Sequence, residues 1–270
     1  MAGILSIQFE PILNKMDENL EKIQRIIDNF METNVDKKPV DLLVLPEFFT
    51  TGVSHKYVEN PVSPEGGKPI ELMANVAKKY NTNIAAGTVI TKEGEKLYNT
   101  MFVLNREGKT VVKYRKIHLF KYFGGTENER ITPGDEILVA NLDFARVGLS
   151  ICFDIKYPLH YRKLMQKGAE IIVSPSAWAF LKSINGQKEL NSRIFRCLSI
   201  TRANENLVYF VTSNQCGNAG ILGSTGDSMI ISPNAEILAD AKDSECAIYA
   251  NIDLELVRTL KNTTPMAFEE

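Results

Sequence analysis

Apolar and polar residues alternate in short blocks along this chain, and the blocks predict strands and helices in turn. After a predicted strand over 4–9, Asp17 opens a segment whose apolar residues recur every three or four positions, as on one face of a helix. Other helices are predicted over 70–80, 158–166 and 188–203. Strands are predicted over 42–45, 83–90, 97–104, 109–115, 137–141, 147–151, 171–174, 207–213, 228–231 and 247–252. This mixture indicates an α/β or α+β fold.

A single domain over 1–270 is predicted. With 270 residues and 44% hydrophobic content, the chain can bury a large core. No Pro- or Ser-rich linker, low-complexity run or internal repeat divides it. The first residues lack the basic start and apolar core of a signal peptide, and no apolar stretch could span a bilayer. A cytoplasmic protein without a membrane partner is therefore expected.

Charge and residue usage narrow the classes of function. The formal net charge of −2 and the pI near 6.0 argue against a nucleic-acid partner. The four cysteines are scattered without a Cys-x-x-Cys pair, which argues against a disulfide framework and a zinc site. The three histidines lie on separate segments without ligand spacing, so neither a metal nor a cofactor is predicted. Glycines recur every third residue over 217–226 without a phosphate-loop signature, and they indicate a mobile loop.

Cys152 is the strongest candidate for chemistry. It closes an apolar, strand-like run, and a helical pattern opens at Pro158. A sharp turn between strand and helix would leave the thiol accessible at its tip. A lone intracellular cysteine is more often a small buried side chain, so a catalytic role requires support from other segments.

Two other predicted strand ends supply that support. Glu47 follows the strand over 42–45, at the carboxyl end where active sites of open sheets gather. Lys116 lies in a run over 111–120 that turns basic and then apolar. A thiol attacks only as its thiolate, so Cys152 needs a base and a positive neighbour to lower its pKa. Glu47 and Lys116 would provide them.

These blocks resemble those of the nitrilase superfamily of carbon-nitrogen hydrolases, whose members carry a Glu-Lys-Cys triad in this order. The resemblance covers nearly the whole chain, with matching blocks at 45–47, 114–120, 152–158, 168–172, 175–178, 202–206 and 226–233. It implies an α/β fold of the four-layer αββα type, with two mixed β-sheets face to face and helices outside. It also implies a homodimer or higher homo-oligomer.

The resemblance implies a mechanism as well. Glu47 takes the thiol proton, and Cys152 attacks the carbonyl carbon of an amide. Lys116 and the backbone N–H of Phe153 would hold the oxyanion. Glu47 would then protonate the departing amine and activate water against the thioester, which requires a shielded carboxylate with a raised pKa.

Family members usually carry a second glutamate between the lysine and the cysteine. Many place it six positions before a Pro-Gly pair, which selects Glu127, whereas aliphatic amidases place it four before, which selects Glu129. Glu127 is favoured here and Glu129 is the alternative. Four aromatic residues are expected to line or support the substrate pocket: Phe48, Phe49, Tyr122 and Trp178.

The first hypothesis for the substrate is a small aliphatic amide, such as the ω-amide of a dicarboxylic acid, with release of ammonia. An N-carbamoyl amino acid or amine is the alternative, and a nitrile is less favoured, because fold and triad do not determine the substrate. A non-catalytic homologue that binds a partner is the alternative from another class, and the intact triad argues against it. Lys156 stands where many members have Arg, so some pocket contacts are expected to differ.

Overall fold

The computed structural model describes residues 1–34, 39–54, 56–121 and 127–264. In these ranges the helices are α1 (Met16–Thr33), α2 (Gly67–Tyr80), α3 (Glu127–Arg130), α4 (Pro158–Gln166), α5 (Gln187–Glu205) and α6 (Leu254–Thr263). The strands are β1 (Ala2–Gln8), β2 (Leu42–Val44), β3 (Asn83–Ala85), β4 (Val89–Glu93), β5 (Lys96–Leu104), β6 (Thr110–Arg115), β7 (Val139–Asn141), β8 (Arg146–Leu149), β9 (Ile171–Ser176), β10 (Ala179–Leu181), β11 (Tyr209–Asn214), β12 (Cys216–Ala219), β13 (Leu222–Thr225), β14 (Met229–Ile231), β15 (Ile237–Asp240) and β16 (Cys246–Ile252).

Two large mixed sheets form the centre of the molecule. The first has the order β16-β1-β2-β3-β5-β4, with β6 also paired to β5, and the second has the order β15-β14-β11-β9-β8-β7. Parallel pairs lie in the middle of each sheet, between β1, β2 and β3 and between β8, β9 and β11. The carboxyl ends of β2 and β8 carry the segments that contain Glu47 and Cys152.

Alternation along β1 explains the layers. Ile4 packs in the cluster that contains Val147 and Leu149 of the second sheet, whereas Leu5 packs with Ile23 of α1 on the opposite face. Beyond the second sheet, α4 and α5 contribute Leu164 and Phe195 to its core. The order is therefore helices, sheet, sheet and helices, and the predicted αββα sandwich is confirmed. No helix in the described ranges is long and apolar enough to cross a bilayer.

The strand predicted over 83–90 is wrong, because it is divided into β3 and β4. Gly87 lies between them with φ +48°, in the left-handed region that favours glycine. A Cβ at Gly87 would lie 2.1 Å from the carbonyl oxygen of Pro46. The hydroxyl of Thr88 accepts a hydrogen bond from the Phe48 N–H at 2.9 Å. The break thus brings this segment against the backbone on both sides of Glu47.

The mobile loop predicted over 217–226 is also wrong. Residues in this stretch form the hairpin of β12 and β13, which continues into a small sheet with β10. A Cβ at Gly223 would lie 2.4 Å from the ring of Phe180, and one at Gly217 would lie 2.2 Å from the carboxyl carbon of Glu10. These two glycines permit close packing, which the composition alone did not reveal.

Candidate active site

Cys152 lies at the start of a 3₁₀ turn over Cys152–Lys156, directly before α4. The predicted turn between strand and helix is therefore present. Its φ is +44°, a left-handed conformation that costs a non-glycine residue about 1–3 kcal/mol. The residue is 8% exposed, so the expectation of a thiol accessible at the tip of the turn is wrong: the side chain is nearly buried. Such strain at a reactive side chain requires a rigid surrounding structure.

Asp154 supplies part of that structure. Its Oδ2 accepts hydrogen bonds from the Ile151 N–H at 2.8 Å and from the Tyr114 hydroxyl at 2.7 Å. Its Oδ1 accepts from the His118 N–H at 3.0 Å and lies 2.7 Å from His118 Nδ1. Burial alone would raise the pKa of Asp154, but the His118 hydrogen bond, the nearby His160 and the other donors outweigh it and lower this pKa. The carboxylate thus links the end of β6 to the turn that carries Cys152.

The fold brings together two histidines that lie on separate segments of the sequence. Ligand atoms of His118, Asp154 and His160 lie within 4.8 Å of one another, and the two imidazole rings are 5.7 Å apart. Each Asp154 oxygen already accepts two hydrogen bonds, and His160 Nε2 lies 3.1 Å from the Leu149 carbonyl oxygen. Of the candidate ligand atoms, His160 Nδ1 has no hydrogen-bond partner among the described residues. Because both Asp154 oxygens and His160 Nε2 are engaged with protein groups, the arrangement favours a hydrogen-bond network over a metal site.

A buried cluster of charges lies beside the thiol. Lys116 Nζ is 2.8 Å from Glu47 Oε1 and 2.9 Å from Glu127 Oε2. The three side chains are at most 6% exposed. The side chains of Glu47 and Cys152 also interact with each other. The structure therefore brings base, cation and thiol together, as the sequence predicted, although three distant segments supply them.

Of the two candidates for the second glutamate, the structure places Glu127 in this cluster. Its Oε2 also accepts the N–H of Phe120 at 2.8 Å. Glu129 lies on the same short helix α3 but is exposed. On a single helical turn, side chains two positions apart point in different directions. Only Glu127 therefore reaches Lys116.

Asn99 belongs to the cluster and was missed by the sequence argument. Its Nδ2 donates to Glu47 Oε1 at 2.9 Å and to Glu127 Oε1 at 3.0 Å. The Ala177 N–H donates to Glu47 Oε2 at 3.1 Å. The signal for Asn99 was a polar residue inside an apolar strand, since such residues are buried only when they find partners.

Burial and neighbouring charges shift the pKa values of these groups. Burial, with the charge of Glu127, raises the pKa of Glu47 despite the opposing effect of Lys116. Burial alone would lower the pKa of Lys116, but Glu127, Glu47 and Cys152 raise it well above its usual range. Burial and Glu47 raise the pKa of Cys152 well above its usual range, although Lys116 lowers it. The raised pKa of Glu47 agrees with the sequence argument, whereas the expected lowering by Lys116 is outweighed at Cys152.

The predicted pocket residues have different surroundings. Phe48 has φ +50°, and its ring lies 4.9 Å from that of Tyr57. Trp178 packs in the same core cluster as Cys152 and donates from Nε1 to the Asn191 carbonyl oxygen at 3.1 Å. Phe49 instead packs in the core between the first sheet and α1 and α2. Tyr122 lies outside the described residues.

The predicted backbone donor also lies close to the thiol. Phe153 follows Cys152 in the first turn of the 3₁₀ segment, and its ring lies 5.4 Å from that of Phe120. The Phe153 N–H therefore lies in the segment that the sequence predicted for the oxyanion donor, one residue after Cys152.

Comparison with known proteins agrees with this geometry. The family model described as Carbon-nitrogen hydrolase matches residues 5–262. A nitrilase of Pyrococcus abyssi is 35% identical, over 96% of this chain and 92% of its own length. The 2-oxoglutaramate amidase of Bacillus subtilis is 28% identical, over 97% of this chain and 95% of its own.

A solved structure extends the likeness to the fold. The crystal structure of a Saccharomyces cerevisiae member of branch 10 of the nitrilase superfamily has a TM-score of 0.84 and 26% identity, and the match covers 98% of this chain and 94% of that one. The prediction of a carbon-nitrogen hydrolase enzyme of the nitrilase superfamily is confirmed. With a family model that spans nearly all of it, this chain belongs to the carbon-nitrogen hydrolase family.

Proposed function

We propose that this protein is an amidase that hydrolyses a small amide through a thioester on Cys152 and releases ammonia. The observation that carries the proposal is the buried contact of Glu47 with both the Cys152 side chain and Lys116. In this arrangement a base, a cation and a nucleophile meet at one point with little access to water. A binding module would have no need for a strained cysteine beside two buried carboxylates.

The first step is proton transfer from the thiol. Because the pKa of Cys152 is raised by burial and by Glu47, the resting enzyme holds a neutral thiol. The charge of Lys116 favours the ionised form of Glu47. Glu47 accepts the proton as the sulfur attacks the carbonyl carbon, so thiolate character develops only during attack. Glu47 next gives that proton to the departing nitrogen, and ammonia leaves. Water activated by the same carboxylate then hydrolyses the thioester.

Lys116 stabilises the negative charge that develops on the carbonyl oxygen. Its pKa is raised by the two glutamates despite burial, so the ammonium remains charged throughout the working pH range. The Phe153 N–H is the proposed second donor. Removing one such donor typically reduces the rate by about 100-fold or more.

Glu127 is the proposed fourth member of the site. Its carboxylate holds Lys116 together with that of Glu47, through a contact of 2.9 Å. One ammonium between two carboxylates has little freedom to move, which keeps the oxyanion donor in place before substrate binds. Phe48 and Trp178 are proposed to border the substrate, and Tyr122 remains a prediction.

The ω-amide of a dicarboxylic acid is the proposed substrate class. Two kinds of observation support it. Relatives of similar length include the 2-oxoglutaramate amidase of Bacillus subtilis and an omega-amidase of Saccharomyces cerevisiae, which is 29% identical. In addition, Lys156 Nζ lies 5.5 Å from the centre of the Trp178 ring and forms no salt bridge with an acidic side chain among the described residues. A cation four positions after Cys152 suits a substrate that carries a carboxylate.

The thioester is the intermediate to test. Brief mixing of the enzyme with glutaramate, stopped with acid and followed by mass spectrometry of the intact protein, should detect an added acyl group. Digestion should locate this group on Cys152. Cys152→Ala should show no adduct under the same conditions. Turnover without any adduct on Cys152, or with an adduct elsewhere, would contradict the proposed mechanism.

A homodimer or higher homo-oligomer in the cytoplasm is proposed. Leu159 on α4 is 73% exposed and Leu190 on α5 is 43% exposed, so the outer helices offer apolar side chains to a second copy. The cysteines are free, which suits a reducing compartment. Light scattering after gel filtration would give the mass of the assembly in solution.

A further inference from the structure

Asn99 reaches the active site from a rigid position. It lies in β5, which pairs with β4 on one side and β6 on the other. Its carbonyl oxygen accepts the Lys116 N–H at 2.9 Å, and the residue is 1% exposed. Backbone and side chain of Asn99 are therefore both held next to the lysine.

One amide group serves two carboxylates. Nδ2 is 2.9 Å from Glu47 Oε1 and 3.0 Å from Glu127 Oε1. An amide nitrogen carries two hydrogens, so each carboxylate receives one. The orientation of the amide follows from chemistry, because the two glutamate oxygens can only accept while the carboxylates are ionised. Asn99 thus joins Glu47 to Glu127 without adding charge.

The two oxygens of Glu47 consequently differ. Oε1 accepts from both Lys116 and Asn99, whereas Oε2 accepts from the Ala177 N–H at 3.1 Å. The Cys152 side chain also interacts with this Ala177 N–H. Oε2 is therefore the oxygen beside the thiol and the one with fewer donors, which makes it the more basic of the two.

We propose that Asn99 is a positioning residue, which holds Glu47 so that Oε2 takes the proton of Cys152. This inference rests on the proposed function. In the step concerned, the S–H bond breaks, an O–H bond forms at Oε2, and the electron pair stays on sulfur for attack. Without Asn99, the carboxylate loses a donor at Oε1 and can rotate about its own bond to carbon.

The charges around Glu47 explain why a neutral donor matters there. Lys116 is the cation in contact with Glu47. Glu127, Cys152 and Tyr57 are the acidic groups that interact with Glu47. Two buried carboxylates share one ammonium, which leaves an excess negative charge. Removing the Asn99 donor therefore favours the protonated form of Glu47.

The test compares two asparagines in the same sheet. Asn83 in β3 is also buried, donates from Nδ2 to the Asp41 carbonyl oxygen and to Asp143, and like Asn99 leaves Oδ1 without a partner among the described residues. Asn99→Leu and Asn83→Leu thus remove two donated hydrogen bonds each. Alkylation of Cys152 by iodoacetamide is followed against pH, together with kcat/KM and the melting temperature.

Asn99→Leu should move the acid limb of the alkylation rate to higher pH by about one unit, because Glu47 holds its proton more tightly. The plateau rate and kcat should fall about 10-fold or more, with a smaller change in KM. Asn83→Leu should lower the melting temperature about as much as Asn99→Leu does. The acid limb of its alkylation rate should stay at the wild-type pH. The inference would be overturned if the acid limb of the alkylation rate stayed at the wild-type pH in Asn99→Leu, or if it moved by the same amount in Asn83→Leu.

A second variant, Asn99→Ser, keeps the inference testable if Asn99→Leu does not fold. Asn99→Ser keeps a hydroxyl that can donate to only one of the two carboxylates, so it should give a smaller shift in the same direction. A serine variant with wild-type alkylation at every pH would also overturn the inference. Alkylation needs no amide, so a protein that hydrolyses none could still show the shift. Failure of the proposed function and failure of this inference are therefore distinguishable.

Discussion

Lys116 Nζ lies 2.8 Å from Glu47 Oε1, and both side chains are almost completely buried. Removing one partner of such a pair leaves an uncompensated buried charge, which costs several kcal/mol in typical cases. The pair is therefore formed before any substrate arrives. Because the ammonium and carboxylate do not need to reorganise during the reaction, the site is arranged in advance for charge that develops on an oxygen.

Glu127 and Glu129 offer a matched test of the second glutamate. Glu127→Gln removes a charge from Lys116 and should reduce kcat by about 100-fold, with the fold retained because the amide remains isosteric. Glu129→Gln changes an exposed side chain on the same helix and should keep kcat within about twofold. Steady-state rates of both variants decide the assignment. Equal losses, or the larger loss in Glu129→Gln, would reject Glu127.

The fall of activity towards low pH should reflect protonation of Glu47. The base must be ionised, and burial raises its pKa above the ordinary value of 4.5, so kcat/KM should rise with pH through a midpoint above that value. Glu127 contributes to the raised pKa of Glu47, so the residual activity of Glu127→Gln should have its midpoint at lower pH. A wild-type midpoint at or below 4.5 would count against Glu47 as the base.

The Asp154 network should stabilise the fold. Asp154→Asn turns an acceptor into a donor opposite groups that donate, and it should lower the free energy of unfolding by about 3 kcal/mol. Tyr114→Phe removes one hydrogen bond and should cost about 1.5 kcal/mol. Urea unfolding at neutral pH measures both. An Asp154→Asn variant as stable as the wild type would contradict this role.

The same network has a pH dependence with a definite sign. The pKa of Asp154 is lower in the folded protein, so its contribution is present above the unfolded value and is lost as pH falls through the folded one. The stability deficit of Asp154→Asn should therefore narrow below about pH 4. If the stability difference between Asp154→Asn and the wild type stayed constant or widened in acid, the lowered pKa of Asp154 would not be the source of this pH dependence.

Lys156 should determine the preference for a substrate with a carboxylate. Lys156→Ala should raise KM for glutaramate about 10-fold, while KM for a neutral amide such as butyramide should change little. Lys182→Ala is the control variant, because Lys182 is a surface lysine whose side chain hydrogen-bonds to Asn218 at 3.4 Å. Equal effects on both substrates would remove Lys156 from the specificity argument.

Much of the fold and site could be predicted from the sequence, because apolar strands that end in polar residues leave a clear pattern. Glu47, Lys116 and Cys152 each follow such a strand, and the resemblance placed them in one site. The break in the strand at Gly87 could not be predicted from this pattern. The break between β3 and β4 depends on the approach of the Pro46 carbonyl, a contact between segments far apart in sequence.

Asn99 shows a second limit. A strand pattern marks a residue as buried, but it does not say which polar groups of other strands it meets. Asn83 and Asn99 look alike in sequence, each buried in a strand, and only Asn99 touches Glu47 and Glu127. Likewise, spacing along the chain separated His118 from His160, whereas the fold brings both rings to Asp154.

Ammonia release by the wild type and by Cys152→Ala is the measurement that tests the central claim most directly. The panel contains ω-amides such as glutaramate, neutral amides, N-carbamoyl amino acids and nitriles. We predict release from the ω-amides by the wild type and loss of at least about 1,000-fold in Cys152→Ala, because the thiol forms the covalent intermediate. Release that persists in Cys152→Ala, or a folded wild type that releases ammonia from none of these compounds, would contradict the account.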